Sequence, residues 1–251
     1  MPAPKGIDWA WATRTGGALS TRQKLALTAP LLRMIVQYPS IRLRLATGRR
    51  GTARLDLDAL TWPDSKLVRD AHAEAREVLS AHVLEHSIRT YIFGRLLAQL
   101  ASVNVDEEIA FVSSILHDTQ LEHPTPERCF AVVGGERAER FAIDHGTDPA
   151  RAAAIGAAIA GHITPGALTD LSDPAGFVSA GAFADLTGVG LQEMDPAWVA
   201  EVHARHPRHD LRRHILAAWK AEQQAMPQGR ARWITRYGAF PLLLRAAPFN
   251  E

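Results

Sequence analysis

Three stretches of this chain put metal-binding side chains where a helical core should be apolar. His117-Asp118 closes the run Ile109-Ala110-Phe111-Val112-Ser113-Ser114-Ile115-Leu116. Asp185 lies inside Phe177-Val178-Ser179-Ala180-Gly181-Ala182-Phe183-Ala184-Asp185-Leu186, and His86 falls between Leu84 and Ile88 on a long periodic stretch. An ionised carboxylate among apolar neighbours is costly unless it is paired or metal-bound. No basic residue is near Asp185 in sequence, so a local partner is absent and a metal would compensate it. Two imidazoles and two carboxylates form a set suited to a divalent ion (Zn, Fe, Mn or Co) with positions left open for water. His86, His117, Asp118 and Asp185 are therefore the expected metal ligands.

Each member alone says little. A single histidine on an apolar helix face is usually a satisfied core residue, and a single buried aspartate is often a cap. The order His…His-Asp…Asp, each on its own expected helix, carries the specificity. His162 adds a candidate, because it ends the apolar helix containing Ile155 and Ile159 just before Pro165-Gly166. It could bind substrate, shuttle a proton or ligate a second metal, or simply meet the dipole at a helix C-terminus. Asp118 and His162 are taken as the catalytic pair. His145 before Gly146 is explained by a helix end, and His82 by packing. His203, His206, His209 and His214 read as a solvated basic face. Glu85 and Arg89 are spaced for a helix salt bridge, the safer reading of Arg89 than a phosphate contact.

Helices must position these groups. Leu67, Val68 and Ala71 follow a start signal at Asp64-Ser65, and a longer helix covers about 80–101. Asn104 or Asp106 caps the helix that runs into His117-Asp118. Further helices are expected at about 135–145, stopped by Gly146, at 149–161 behind Asp148-Pro149, and over 174–187 and 208–224. No alternating strand pattern competes, so the expected class is all-α.

The order His86…His117-Asp118…Asp185 resembles the metal signature of the HD-domain superfamily. His86-Ser87-Ile88-Arg89-Thr90-Tyr91-Ile92-Phe93-Gly94, Ser114-Ile115-Leu116-His117-Asp118, Cys129-Phe130 with Gly134-Gly135, Ala160-Gly161-His162-Ile163-Thr164 and Gly181-Ala182-Phe183-Ala184-Asp185-Leu186-Thr187-Gly188 are similar to its cyanamide-hydratase-like branch. The resemblance covers roughly residues 65–225. It implies a compact helical bundle with one or two ions held by the four signature residues. Many members cleave phosphate esters of nucleotides or other compounds, whereas the cyanamide-hydratase branch adds water to a nitrile. Both chemistries use a metal to lower the pKa of water and to polarise the electrophile. Phosphate transfer also needs cations around the equatorial oxygens. Nucleotide-cleaving relatives carry an acid shortly after the His-Asp pair, where this chain has Leu121, with Glu122 next. That departure favours the hydratase-like reading over the phosphohydrolase. A third reading is a non-catalytic metal- or ligand-binding helical module.

Composition bounds the rest. The 251 residues, 47% hydrophobic, suffice for a sizeable core. Net charge is +1, so nucleic acid is not an expected partner; a small-molecule substrate is. The single cysteine, Cys129, permits no internal disulfide. No long apolar run suggests a spanning helix, and the start lacks the apolar region of a secretory signal, so a cytoplasmic location is expected. Residues 1–60 read as a basic, partly helical N-terminal extension and 61–251 as the HD domain. The extension has no acidic residue between Asp8 and Asp56 but many arginines. It is expected to pack on its own domain or on a neighbouring subunit of a homo-oligomer, a membrane surface or nucleic acid being the alternative partner of so basic an arm, with a short docking helix over 31–36 ending before Pro39.

Overall fold

The computed structural model describes residue 4 and residues 6–250. The outermost positions of the expected extension (1–3 and 5) and of the expected domain (251) lie outside them. Among the described residues there are twelve α-helices and only isolated bridges of extended chain: α1 (Trp9–Thr15), α2 (Thr21–Ala46), α3 (Lys66–Val78), α4 (Ala81–Leu100), α5 (Glu107–Leu116), α6 (Phe130–Asp144), α7 (Pro149–Gly161), α8 (Pro174–Thr187), α9 (Pro196–Arg205), α10 (Leu211–Ala225), α11 (Arg230–Gly238) and α12 (Phe240–Arg245). The fold is all-α.

Local chemistry starts most of these helices. Ser65 and Asp106 accept the N3 amides of α3 and α5. Asp148, Asp173 and Asp195 each cap a helix whose next residue is proline, which has no amide to leave unsatisfied. Gly146, expected as a helix stop, has φ +86°. α6 begins at Phe130, five residues ahead of the expected start. Gly134-Gly135 weakens its helical signal in sequence, but a Cβ at Gly135 would sit 2.5 Å from the Gly156 carbonyl. Close α6–α7 packing therefore requires what propensity disfavours.

α4 and α8 form the central pair. A Cβ at Gly181 would lie 1.9 Å from the Thr90 carbonyl, and one at Gly94 would meet the Phe177 ring at 2.7 Å. Small residues thus bring the backbones carrying His86 and Asp185 into contact. Tyr91, Phe111 and Phe177 fill the adjoining core.

The N-terminal stretch lies against the same body. Trp9 covers the Gly135–Gly156 seam, and Gly17 abuts Cys129. α2 is one helix of 26 residues, not a short segment ending before Pro39. Ser20 and Gln23 close a capping box at its start, and Leu27, Leu31, Tyr38 and Leu45 recur on one buried face on both sides of Pro39. Packing of that face offsets the backbone bonds lost at Pro30 and Pro39. After α2 the chain joins the loop preceding α9 through Gly51 N–H to the Gln192 carbonyl (2.8 Å) and Asp195 N–H to the Ala53 carbonyl (2.9 Å).

Candidate metal centre

His86 projects from the second turn of α4, His117-Asp118 follows the end of α5, and His162 caps α7. His117 Nδ1 lies 2.7 Å from the Ser114 carbonyl, and His162 Nδ1 lies 2.6 Å from the Ile159 carbonyl. A carbonyl can only accept, so both rings carry their proton on Nδ1 and present an Nε2 lone pair. His86 is fixed likewise, with Nδ1 2.7 Å from Asp185 Oδ2.

All three Nε2 atoms surround the Asp118 carboxylate. His117 Nε2 is 3.3 Å and His86 Nε2 3.7 Å from Oδ2, while His162 Nε2 is 3.7 Å from Oδ1. The two distances of 3.7 Å exceed a hydrogen bond. Ligand atoms about 2.05 Å from a tetrahedral ion are separated by about 3.3 Å, so the spacing suits donors around a shared cation. His86 Nε2 and His117 Nε2 are buried with no hydrogen-bond partner, an arrangement costly for polar atoms unless something else engages them. His86, His117 and Asp118 offer donor atoms all within 4.8 Å of one another. The residues therefore fit a divalent ion held by three protein donors.

Electrostatics favour an ionised Asp118 and neutral rings at His86 and His162, whereas His117 is drawn toward its charged form. Burial pushes the His86 pKa down, and it takes His162 to about 3, assisted by the charge of His117. Burial would also lower His117, but the adjacent Asp118 outweighs it and the net direction is up. The same attraction overcomes the burial of Asp118 and holds its carboxyl below the usual range.

Asp185 occupies a different position from the one expected of a fourth ligand. It stands behind His86, and its carboxylate is already engaged. Arg89 forks onto both oxygens (2.8 and 2.9 Å), and Arg208 binds Oδ1 at 2.9 Å and the Asp185 carbonyl at 3.0 Å. Burial alone would raise its pKa, but the two guanidinium charges hold it well below the ordinary value. The expected compensation by a metal gives way here to arginines remote in sequence. The expected Glu85–Arg89 pair does not form. Arg89 is fully buried on Asp185 and on the His206 and Pro207 carbonyls, while Glu85 binds His206.

The C-terminal histidines are likewise not simply a solvated face. His203 packs on Phe93 and Phe249 with Nε2 3.5 Å from Asp185 Oδ1. His214 stacks on His82, whose Nε2 meets Glu122 at 2.9 Å. Glu122 thus turns toward His82 and Ser80. His145 bonds the Phe141 carbonyl at the end of α6.

A small cleft, partly open to solvent, reaches His86, His117, Asp118 and His162. Its walls are largely apolar: Leu121, Phe130 and Phe183 near the cluster, Met34 from α2, and Trp219 and Phe240 from α10 and α12. No lysine or arginine lines it. The helices after residue 210 and the N-terminal arm, unassigned to the site by sequence, thus supply Met34, Ile215, Trp219, Ile234 and Phe240, a quarter of its lining. Glu222 is buried behind Phe130 with its Oε2 lacking a hydrogen-bond partner; nothing local in the sequence distinguishes this glutamate from others on an amphipathic helix.

No known protein family matches this chain, and no curated protein matches it. Among the described residues no helix is long and apolar enough to cross a membrane.

Proposed function

We propose that this chain is a metal-dependent hydrolase or hydro-lyase of the HD-domain type that adds water to a small, uncharged molecule, a nitrile of the cyanamide kind being the leading candidate. The observation that carries the reading is the pair of buried, unpartnered Nε2 atoms of His86 and His117 beside Asp118, at the inner end of an apolar cleft. His86, His117 and Asp118 would hold the ion, whether Zn, Fe, Mn or Co. When bound, the ion supplies Lewis acidity and a water acidified enough to act near neutral pH. Asp118 contributes the negative charge that retains a cation among neutral imidazoles. His162, neutral and hydrogen-bonded through Nδ1, presents its Nε2 lone pair on the cleft wall, where it can take a proton from water or return it to the product nitrogen. Asp185 acts through His86, orienting the ring and raising its basicity as carboxylates behind metal-bound histidines do. The apolar walls exclude bulk water and favour a compact neutral substrate over a solvated anion.

The phosphohydrolase reading finds less support. A phosphate ester needs cations at its oxygens. Arg89 and Arg208 are committed to Asp185, and Arg230, behind His162, is committed to the Ala160 carbonyl and the Thr164 hydroxyl. The non-catalytic reading is disfavoured by the open cleft beside the unpartnered donors.

The experiment is metal analysis of purified wild type and His117→Ala, followed by assay of the metal-loaded protein on cyanamide, simple nitriles and a panel of phosphate esters. Metal in wild type, its loss in the variant, and hydration of a nitrile are expected. Equal metal content in both proteins, or phosphate release dependent on Asp118 without nitrile turnover, overturns the proposal.

A further inference from the structure

The outer side of α2 presents an apolar stripe to solvent. Leu25, Leu32, Val36 and Leu43 are 70%, 53%, 75% and 64% exposed. Their spacing of seven, four and seven residues puts them within about 40° of one another at roughly 100° per residue. The buried residues Leu27, Leu31, Tyr38 and Leu45 occupy the opposite side, with Met34, which lines the cleft. α2 is therefore apolar on two faces, one packed on the protein and one uncovered. Among the described residues eight large hydrophobics are exposed. Two more of them, Tyr237 and Leu242, lie on α11 and α12, which pack along α2 through Gly238 against Leu31 and the Tyr38 hydroxyl on the Leu243 carbonyl.

The chain segments that contribute this face carry an excess of cations. Residues 9–55 and 227–250 contain thirteen of the 28 lysines and arginines and no acid, leaving 15 cations against all 27 acids elsewhere. Arg22, Arg33 and Arg44, eleven residues apart, follow one edge of the stripe and are exposed. Arg44 alone of these is paired, with Glu193. A second copy docked antiparallel by the same stripe, with the two-fold axis perpendicular to α2, would set these arginines against an identical basic edge. An anionic lipid surface satisfies both features, taking apolar side chains into the acyl boundary and answering arginines with headgroup phosphates and carboxylates.

We infer that α2 is a membrane-docking element that seats the protein on anionic lipid bilayers through Leu25, Leu32, Val36 and Leu43. The contact is peripheral and reversible. It orients the molecule with one helix between the lipid surface and the cleft, because Met34 faces the cleft from the inner side of α2.

Co-sedimentation of the full-length protein with vesicles of phosphatidylcholine, with and without phosphatidylserine, tests this independently of any catalysis. Binding is expected only with phosphatidylserine and is expected to fall as salt rises. Arg22→Gln with Arg33→Gln weakens it roughly 30-fold at low ionic strength. Leu32→Asp with Val36→Asp abolishes it while the melting temperature and metal content stay at wild-type values. Leu100→Asp, at an exposed apolar position on α4, leaves binding intact. Failure of the wild type to sediment with phosphatidylserine vesicles overturns the inference, as does unchanged binding by either double variant. A dimer that the Leu32→Asp/Val36→Asp variant dissociates, or binding to duplex nucleic acid without binding to vesicles, would also overturn it.

Discussion

The Asp185 carboxylate accepts the Nδ1 proton of His86 at 2.7 Å while two buried arginines hold it from behind. This link joins α8 to α4 at the depth of the cluster and makes Asp185 a positioning residue. Asp185→Asn keeps the shape but strips Arg89 and Arg208 of their counter-charge. We expect it to destabilise the fold by about 3–5 kcal/mol and to weaken metal binding ~10- to 100-fold without abolishing it. Urea denaturation and metal titration of the variant check both.

His117→Ala and His162→Gln should differ in kind. The first removes a donor from the central set and should leave the purified protein without stoichiometric metal. The second should retain metal and lose turnover by ~100-fold or more, the usual scale of proton-transfer assistance. Metal content measured beside kcat separates them, and loss of metal in both would make His162 a ligand instead.

Ala182 lies on the cleft wall and is buried. Ala182→Phe narrows the space over the cluster without touching a metal-binding atom. Larger nitriles should lose kcat/KM far more than cyanamide, with metal content unchanged. Steady-state kinetics across a size series measure the effect.

Glu222 is buried against the Phe130 amide, and burial raises its pKa to about 7. A carboxyl whose folded pKa exceeds its unfolded value of 4.5 stabilises the protein most below that value. The contribution is lost as pH rises toward about 7 and stays lost above it. Glu222→Gln keeps an acceptor for Phe130 and removes the charge. Its stability gain over wild type should be absent near the unfolded pKa and reach on the order of 3 kcal/mol in mild alkali. Denaturation curves over that range report it.

Gly181→Ala tests the contact that sets the α4–α8 spacing. Its Cβ would overlap the Thr90 carbonyl, and a backbone cannot yield as a side chain can. A loss of at least about 3 kcal/mol is expected, measured by denaturation.

Short-range chemistry made most helices legible in the chain itself. Ser65, Asp106, Asp148 with Pro149 and Gly146 act within a turn of their own position, so their consequences can be read from neighbours. Helices α9, α11 and α12 were not anticipated, because their short apolar faces gain meaning only against α4, α2 and α10. The all-α class, and the suspicion attached to His86, His117, Asp118, His162 and Asp185, came from residue type and order alone: a polar group in an apolar run demands a partner wherever the chain folds. Which partner answers is a tertiary matter. Asp185 finds Arg89 and Arg208 at separations of 96 and 23 residues. α2 passes through two prolines because its inner face has a core to bury against. Backbone hydrogen bonds and caps act over a few residues, whereas charge compensation and the polarity of a cleft are sums over atoms that only packing brings together.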